Sequence, residues 1–535
     1  MPPNARRRRA GMQAESGGPI PSTESPDSVV PAAMAAAHDG IRVSPGSARR
    51  GVAVTAQAPV GSANGAAAPG VRPGALGPGE RQPATGPIDW LMSNLIRKLA
   101  WSKLSEPRIA IAVSGIGLLL GMVVGATAPN HETLPVRLPL SQLLPPLHDS
   151  VIASVMLYTG NVLACLGLAG MLWAHSQGWR PDPRRLLLAS AGIVAVMVSL
   201  TPVGSSDAAS YAAYGRIAAL GGNPYLMNPQ NFLGPNSPYT QPVGDLWKST
   251  PSVYGPIATL VQRFAATIGG ADAVTTIWVL MILNGMVFIG VGWLLLKTSD
   301  DPIRATLFWA ANPVLIQQLV SGGHLDTFVA AAAICSIQVA RRVSDTWGDV
   351  LIGVVIGLAC GVKITAALVG IGLAFPLLRR HEWMRTGRIA AVALATVALE
   401  YSFYGLTWLP PLVAASKLVT LPSPWWFLHA IGHAFHADAT TATLLSVLWP
   451  IAMIAVAIPV YRRISSDQPR EVVAPFALTF AWIVVSPWVF AWYTAIAWVA
   501  LTQVPRNRMT RWLTLATVWL ALWHSSGGQI TPTRL

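Results

Sequence analysis

Uninterrupted apolar stretches recur along most of this 535-residue chain, and no other feature restricts its fold as strongly. Ordinary soluble domains contain about 25% charged residues, whereas only 11% of this chain is charged and 52% is hydrophobic. From Arg108 onward, about thirteen stretches approach the roughly 20 apolar residues that a membrane-spanning helix needs. The sequence therefore predicts an all-α, polytopic membrane protein.

Every second loop between these stretches is basic, which predicts the orientation of the chain in the plasma membrane. Lys and Arg are enriched in cytoplasmic loops, so we expect these loops and the N-terminus inside and the alternate loops outside. Two of the outer loops, residues 204–252 and 406–440, are long, and long loops in compact domains are usually functional. The basic loops also account for the net charge of +14, so no nucleic-acid partner is expected.

Composition divides the chain into four regions. Residues 1–87 are rich in Pro, Gly, Ala and Ser without apolar periodicity, which is typical of a disordered tail. Residues 88–104 place apolar residues at helical spacing beside Arg and Lys, which predicts a short amphipathic helix on the inner membrane surface. Residues 105–525 contain the transmembrane domain, and residues 526–535 form a short C-terminal tail.

The first candidate for a catalytic residue is Asp207, in the stretch SSDAASYAAYGRIAALGGNPY that ends at Tyr225. If residues 208–220 form a helix, Asp207, Tyr211 and Tyr214 share one face at positions i, i+4 and i+7. A helix N-cap would explain the aspartate, but it would not explain the polar face or the aromatic loop that follows. Carboxylates at this depth in membrane proteins are often functional, so both roles stay open on the residues alone.

A second polar element is SGGHLD, residues 321–326, at the outer end of another apolar stretch. The glycine pair permits a tight turn and a close backbone approach just before His324 and Asp326. An N-cap role for Asp326 and a loop position for His324 are the simpler explanations. Two such residues are too few for a metal site, and the three cysteines lie singly in apolar stretches, so no metal is expected.

Two basic residues lie on the same predicted side as Asp207. Lys363 stands in GVKIT, between two apolar runs that are short for membrane spans, so broken or re-entrant helices are expected there. An unpaired lysine in a membrane costs about 3 kcal/mol or more. Its side chain therefore either extends to the membrane surface or neutralises a bound anion. Arg216 supplies a second cation near Asp207.

Aromatic residues are abundant in the predicted outer loops. Trp425 and Trp426, in LPSPWWFLHAIG, offer flat faces of the kind that pack on sugar rings or lipid headgroups, and His429 follows them. Tyr254 lies in TPSVYGPIATLV, and SPWVFAWYTAIAW, residues 486–498, begins at another outer end. A belt of Trp and Tyr at the membrane interface also explains such residues.

A carboxylate, cations and aromatic residues thus collect on one membrane surface, and sugar transfer from a lipid phosphate requires such a set. A general base must take the proton of the acceptor hydroxyl. Cations or hydrogen-bond donors must stabilise the departing phosphate. The lipid tail stays in the bilayer, so the site must open sideways to it. No cofactor is expected beyond the lipid-linked sugar itself.

In these segments, and in NPVLIQQLVSGGHLD, the chain resembles the polyprenyl-phosphomannose-dependent α-mannosyltransferases, which are integral membrane enzymes of the GT-C superfamily. It is most similar to the α-1,6-mannopyranosyltransferases that build the lipomannan backbone. The resemblance covers about residues 105–525. It implies a GT-C fold with long extracytoplasmic loops, an active site on that side, and three kinds of partner: polyprenyl-phosphate-mannose, a glycolipid acceptor and membrane lipids.

The resemblance also implies roles for individual residues. Asp207 matches the essential acid of an early outer loop and is expected to be the catalytic base, whose loss lowers rates about 10²–10⁴-fold. His324 and Asp326 match a Gly-x-His-Asn-Asp element in which Leu325 replaces the usual Asn, and Lys363 matches a lysine expected near the lipid phosphate. The expected substrate-binding residues are Tyr211, Tyr214, Arg216, Tyr225, Tyr254, His324, Asp326, Lys363, Trp425, Trp426 and His429.

Three functions remain as hypotheses from the sequence. In the first, an inverting mannosyltransferase forms an α-1,6 linkage from polyprenyl-phosphate-mannose, with Lys363, Arg216 and His324 holding the departing phosphate. In the second, an arabinosyltransferase of the same superfamily uses the same base and phosphate chemistry on a different sugar. The third, a transporter or flippase for lipid-linked sugars, predicts charges lining a path through the membrane, and the middle of the apolar stretches carries almost none.

Overall fold

Helices form nearly all of the regular structure in residues 106–464 and 470–523, the part of the chain that the computed structural model describes. This confirms the predicted all-α class. The predicted disordered tail, amphipathic helix and C-terminal tail, at residues 1–87, 88–104 and 526–535, lie outside the described residues. In chain order the described α-helices are α1 (Pro107–Ala126), α2 (Ser150–Ser176), α3 (Pro183–Met197), α4 (Asp207–Ala219), α5 (Pro229–Leu233), α6 (Asp245–Lys248), α7 (Pro256–Gly269), α8 (Ala273–Thr298), α9 (Pro302–Phe308), α10 (Pro313–Leu315), α11 (Asp326–Arg342), α12 (Thr346–Val362), α13 (Ala367–Arg379), α14 (Trp383–Ser402), α15 (Leu409–Ala415), α16 (Trp426–Ala434), α17 (Asp438–Arg463), α18 (Arg470–Val485), α19 (Thr494–Thr502) and α20 (Met509–Trp523).

Within the described ranges, four helices are long and apolar enough to cross a membrane, namely α1, α2, α8 and α17. Shorter apolar segments accompany them: Thr346–Val362, Ile364–Arg379, Val472–Val485 and Ala491–Thr502. Each of these is shorter than the roughly 20 residues that a single spanning helix needs. The long helices support a membrane protein, while the figure of about thirteen spans, taken from apolar stretches, stays a prediction.

Helices α1 and α2 pack so closely that their backbones touch. A Cβ atom added at Gly117 would lie 2.8 Å from the carbonyl oxygen of Gly160, and one at Gly160 would lie 2.9 Å from the carbonyl oxygen of Gly117. Small residues at crossings are typical of membrane helices, because lipid provides no hydrophobic drive and van der Waals contact must hold the pair together. Residues 313–321, which lead into the SGGHLD segment, pack against this pair.

The apolar stretch that ends at the SGGHLD segment is divided into short helical pieces. Helix α9 ends at Phe308 and α10 begins at Pro313, where the Asn312 side chain accepts hydrogen bonds from the backbone N–H groups of Val314 and Leu315 at 3.1 and 3.2 Å. A π-helical turn, Ile316–Ser321, follows directly. Turns of this kind are frequent at functional sites, and this one leads straight into residues 322–326.

A second break separates α12 from α13, as the short apolar runs on either side of Lys363 predicted. Lys363 has extended backbone angles, φ −153° and ψ 127°, and a 3₁₀ turn, Ile364–Ala366, precedes α13. At this break the lysine side chain contacts Asp326 and Tyr493. The break therefore brings a basic residue to the same region as α4 and the 322–326 turn.

Candidate active site

A cavity of about 370 Å³ lies where α4, the segment 244–254, the break at Lys363 and the segment 482–493 meet. Its charged lining residues, within the described ranges, are Asp207, Asp245 and Lys363. Most of the remaining wall is apolar or aromatic. The aromatic lining residues are Trp247, Tyr254, Trp449, Trp482, Trp488, Phe490, Trp492 and Tyr493.

Asp207 is the first residue of α4 and does not cap it. Ser206 occupies the N-cap position without a side-chain hydrogen bond to the helix, so the N-cap explanation for Asp207 is not what the structure shows. The Oδ2 atom of Asp207 instead accepts hydrogen bonds from the Tyr211 hydroxyl at 3.2 Å and from Nδ1 of His324 at 3.1 Å. An ionised carboxylate only accepts hydrogen bonds, so Nδ1 of His324 carries the proton.

The surroundings of Asp207 favour its ionised form. Burial raises the pKa of this carboxyl. The hydrogen bond and charge of His324, the charge of Lys363 and the hydrogen bond from Tyr211 together lower it by more, so the pKa lies below its ordinary value. About 20% of the side chain stays exposed, and the residue lines the cavity. Asp207 is therefore a charged acceptor that a ligand in the cavity can reach.

His324 lies behind Asp207, inside the protein wall. Its ring is only 1% exposed and stacks on Trp492, with centroids 3.6 Å apart and planes 12° from parallel. It is not among the described residues that line the cavity. The predicted contact of His324 with a departing phosphate is therefore absent from this geometry, and the histidine contacts the carboxylate instead.

Lys363 and Asp326 form a buried ion pair. The lysine Nζ lies 3.0 and 3.2 Å from the two oxygens of Asp326 and 3.7 Å from the ring centroid of Tyr493. Burial lowers the pKa of the ammonium, but the charge and hydrogen bond of Asp326, together with those of Tyr493, raise it by more, so the pKa lies above its ordinary value. Lys363 thus neither extends to a membrane surface nor lacks a partner, and it still lines the cavity. Asp326 does not cap α11, because Leu325 occupies the N-cap position and no side chain forms a capping hydrogen bond. The Asp326 carboxylate forms the ion pair instead of the predicted N-cap.

Two of the tyrosines predicted to bind substrate, Tyr211 and Tyr254, lie at the site and pack against each other. The ring of Tyr211 meets the ring of Tyr254 edge-on at 4.9 Å. Tyr254 lines the cavity, whereas Tyr211 is buried beneath it with its hydroxyl on Asp207. The predicted common face of Asp207 and Tyr211 on α4 is therefore present as a direct contact.

Tyr214, Tyr225 and Arg216 lie away from the cavity. The Tyr214 hydroxyl donates to the backbone carbonyl of Thr250 at 2.9 Å, and the Tyr225 hydroxyl pairs with that of Thr259 at 3.0 Å. Both tyrosines are buried and fasten the segment that carries α5 and α6, which in turn supplies cavity residues. The guanidinium of Arg216 stacks over a tyrosine ring at 5.8 Å and does not reach the lining.

The predicted aromatic platform of Trp425 and Trp426 is also displaced from the cavity, as is His429. The Trp425 indole N–H donates to the carbonyl of Val485 at 2.6 Å, which holds α16 against the end of α18. None of the three belongs to the described lining residues.

Aromatic residues of another segment line the cavity instead. They belong to the segment PWVFAWY, residues 487–493, which the sequence marks only as a dense aromatic run at a predicted outer end. Asp245 and Trp247 were missed as well, because α6 is only four residues long and leaves no periodic pattern.

No group of three or more His, Cys, Asp or Glu residues is placed to share a metal ion in the part of the chain that the structure describes. The absence of a metal therefore stays an expectation for the chain. The charged groups at the cavity have partners within the protein: Lys363 pairs with Asp326, and Asp207 accepts hydrogen bonds from His324 and Tyr211.

Comparisons with known proteins agree with these elements. A family model described as "Alpha-(1->6)-mannopyranosyltransferase, N-terminal domain" matches residues 110–379, the range that contains Asp207, His324, Asp326 and Lys363. Alpha-(1->6)-mannopyranosyltransferase A of Mycobacterium tuberculosis is 26% identical over 65% of this chain and 72% of its own length. Alpha-(1->6)-mannopyranosyltransferase B of Corynebacterium glutamicum is 26% identical over 38% of this chain and 36% of its own length.

A further relative, a probable alpha-(1->6)-mannopyranosyltransferase of Mycolicibacterium smegmatis, is 26% identical over 52% of this chain and 44% of its own length. The chain thus matches less than half of the length of two of these three relatives. No solved structure gave a significant match. Because the family model covers more than half of the 535 residues and spans the polar cluster of the cavity, the chain belongs to the alpha-(1->6)-mannopyranosyltransferase family.

Proposed function

We propose that this chain is a membrane mannosyltransferase that moves mannose from polyprenyl-phosphate-mannose to a hydroxyl of a mannan- or lipomannan-type glycolipid, forming an α-1,6 linkage with inversion. The names of its relatives support mannosyl transfer. The observation that carries the proposal is Asp207, an ionised carboxylate in the wall of a cavity that also exposes Lys363. A base and a cation facing one space suit the transfer of a sugar from a phosphate.

The two carboxylate oxygens of Asp207 have different roles in the proposed mechanism. Both hydrogen bonds from the protein go to Oδ2, and Oδ1 receives none from any described side chain or backbone group. Oδ1 is therefore the atom that accepts the proton of the acceptor hydroxyl. As the proton leaves, the hydroxyl oxygen attacks the anomeric carbon of mannose, the bond to the phosphate oxygen breaks, and its electron pair stays on the phosphate. Attack opposite the leaving group converts a β-linked donor into an α-linked product.

The departing phosphate needs positive charge and hydrogen-bond donors. Lys363 is the cation among the described lining residues, and the pairing with Asp326 keeps it protonated. Ser205 and Ser206 also belong to the lining, and the hydroxyl of each can donate one further hydrogen bond. The aromatic part of the wall suits the apolar polyprenyl chain, because burial of apolar surface is favourable at about 25 cal/mol per Å².

The proposed location is the plasma membrane, with the N-terminus in the cytoplasm and the cavity on the extracytoplasmic side. The support is the distribution of Lys and Arg among the loops together with the long apolar helices. With this orientation, a donor lipid in the outer half of the bilayer and an external acceptor would meet at Asp207.

The proposal is tested with Asp207→Asn, which keeps the shape of the side chain and removes its basicity. Membranes that contain equal amounts of parent or variant receive radiolabelled polyprenyl-phosphate-mannose and an oligomannoside acceptor. We expect transfer to fall about 10²–10⁴-fold, the usual contribution of a general base. A matched control is Asp438→Asn, an exposed carboxylate paired with His433 outside the cavity, which should leave transfer unchanged.

Transfer by Asp207→Asn at the parental rate would remove Asp207 from the mechanism. Mass spectrometry of the product identifies the sugar, since a pentose in place of a hexose would point to an arabinosyl donor. Movement of an unextended lipid-linked sugar across reconstituted vesicles, without product, would favour transport.

A further inference from the structure

Residues 322–326 form one tight turn that is held firmly against α4 and α8. Gly323 has φ +70°, and a Cβ atom there would lie 2.7 Å from the sulfur of Met281 and 3.2 Å from Cβ of Ala208. Only glycine fits both the backbone angle and the space. The Asn284 amide donates to the carbonyl of His324 at 2.6 Å. The turn is thereby fixed beside the residue that follows Asp207.

From this one turn, two side chains reach two different charged groups of the cavity. His324 contacts Oδ2 of Asp207 at 3.1 Å, and Asp326, two residues later, contacts the ammonium of Lys363 at 3.0 Å. Both His324 and Asp326 are 1% exposed, and neither belongs to the described lining of the cavity, whereas Asp207 and Lys363 do. A ligand in the cavity therefore meets the carboxylate and the ammonium, with the turn behind them.

We propose that His324 and Asp326 are positioning residues through which this turn fixes the orientation and spacing of Asp207 and Lys363; the inference rests on the proposed function for the roles of those two groups. A free carboxylate rotates about its Cβ–Cγ bond and presents either oxygen. The hydrogen bonds of His324 and Tyr211 to Oδ2 stop this rotation and turn Oδ1 to the acceptor. The stack on Trp492 fixes the plane of the imidazole. Asp326 holds the ammonium with both carboxylate oxygens.

The effect of His324 on Asp207 can be measured through the pKa of the Asp207 carboxyl. The hydrogen bond from His324 is the strongest of the interactions that lower the pKa of Asp207 against the effect of burial. Its removal should raise that pKa. The titratable groups that face Asp207 are Tyr211 and Tyr214 from α4, Tyr254 from the segment before α7, His324 from the turn, and Lys363 and Tyr493 across the cavity.

Two substitutions separate the hydrogen bond from the ring. His324→Phe keeps a flat ring on Trp492 but offers no donor, whereas His324→Asn places an amide N–H near the position of Nδ1 and loses the ring. The readout is the pH midpoint at which dicyclohexylcarbodiimide, which attacks protonated carboxyls, modifies Asp207, measured by peptide mass spectrometry on the purified full-length chain. We expect the midpoint to rise by about one to two pH units in His324→Phe and to stay near the parental value in His324→Asn.

The kinetic readout follows the same order. In His324→Phe we expect kcat for mannose transfer to fall about 10²-fold, the scale of a misplaced reacting group, with KM for the donor little changed. His324→Asn should recover most of this loss. The matched control is Leu325→Met, a change of similar volume in the same turn at a residue that is 3% exposed and whose apolar side chain forms neither a hydrogen bond nor an ion pair; it should leave the midpoint and kcat unchanged.

Asp326 is tested through Lys363. If Asp326 acts only by holding the lysine, Asp326→Asn lowers transfer in the parent but causes no further loss in a Lys363→Met background. Independent losses that multiply in the double variant would overturn this half of the inference. A parental carbodiimide midpoint in His324→Phe, or equal losses in His324→Phe and His324→Asn, would overturn the other half. A shifted midpoint together with a parent chain that transfers no mannose would disprove the proposed function and leave the positioning role of His324 intact.

Discussion

A cluster of opposite charges lies at each end of α12, and the two clusters are built differently. Near the start of the helix, Asp349 is fully buried and receives both Arg385 and Arg388, each through two N–H groups at 2.7–3.3 Å. Just past its end, Lys363 meets the single carboxylate of Asp326. The first cluster joins α12 to α14, and the second joins it to the 322–326 turn.

The difference lies in what each cluster leaves available. Asp349 has all of its hydrogen-bonding capacity used by two arginines and does not belong to the described cavity lining. Lys363 is shared between Asp326 and the face of Tyr493 and still opens on the cavity. A saturated ion cluster fastens helices, whereas a cation paired once beside a cavity stays charged and able to meet an anion.

The largest effect on stability is expected for Asp326→Asn, because it leaves the Lys363 ammonium buried without a carboxylate. Breaking a buried ion pair on one side costs about 3–5 kcal/mol, and only 15% of the lysine side chain is exposed. The free energy of unfolding, measured in detergent with denaturant, should fall by about that amount. Transfer by the folded fraction should fall as well.

The double variant Asp326→Asn/Lys363→Met is the control for that experiment. Replacing both charges with groups of similar shape is often nearly neutral, so the stability should return close to that of the parent while transfer stays low. A double variant as unstable as Asp326→Asn alone would show that the aspartate stabilises the fold through some other partner.

Asp349→Asn should lower stability by about 3 kcal/mol, the lower end of the same range, since Arg385 and Arg388 are 26% and 35% exposed and regain water. Arg385 also keeps its ion pair with Glu382 at 2.8 Å. The rate of transfer per folded molecule should equal that of the parent, which is what separates this end of α12 from the other. Thermal unfolding and kcat measured on the same preparation check both statements, and a specific loss of kcat would erase the distinction.

Tyr211→Phe is expected to have a smaller effect, confined to the chemistry. The variant loses one hydrogen bond to an ionised carboxylate, which corresponds to about a tenfold loss in rate. The same bond lowers the pKa of Asp207, so its removal raises that pKa. Because the base must be ionised, the acid limb of kcat/KM should move to higher pH, where the parent is still fully active.

Tyr214→Phe, one turn further along α4, is the matched control for Tyr211→Phe. Its hydroxyl donates to the carbonyl of Thr250 and not to Asp207. The substitution should cost about 1 kcal/mol of stability and leave the pH profile in place. Equal shifts of the acid limb in both variants would contradict the specific role of Tyr211.

The sequence predicted those features of the site that local pattern encodes. The i, i+4 spacing placed Asp207 and Tyr211 on one helix face, and the short apolar runs beside Lys363 predicted a break in the helix. Hydropathy also predicted the helical class, but it treated the stretch from Pro302 to Ser321 as one span. The pieces there depend on Asn312 and Pro313, which a window of mean hydropathy does not register.

Contacts between residues far apart in the chain could not be predicted from local sequence patterns. Asp326 and Lys363 stand 37 residues apart, and His324 and Asp207 stand 117 residues apart, so no periodicity connects them. One physical clue was present in the sequence: single charges in apolar surroundings need partners, and Lys363 and Asp326 carry opposite charges. The aromatic lining of the cavity could not be predicted, because the sequence does not distinguish a tryptophan at the membrane interface from one in a cavity wall. The two differ only in how the fold packs around them.

Arg216→Gln should have the smallest effect, and it tests whether the cavity alone delimits the site. The sequence placed Arg216 at the departing phosphate, but its guanidinium lies over the Tyr239 ring at 5.8 Å and outside the described cavity lining. Loss of a cation–π contact at a partly buried position costs about 0.5–1 kcal/mol, and kcat should stay within about twofold of the parent, less than the loss expected for one direct hydrogen bond to a charged group. Steady-state transfer with Lys363→Met measured in parallel gives the reference for a lost phosphate cation. A loss in Arg216→Gln as large as that in Lys363→Met would mean that the donor phosphate binds beyond the cavity, against α4, and that Lys363 is not the cation that distinguishes the two ends of α12.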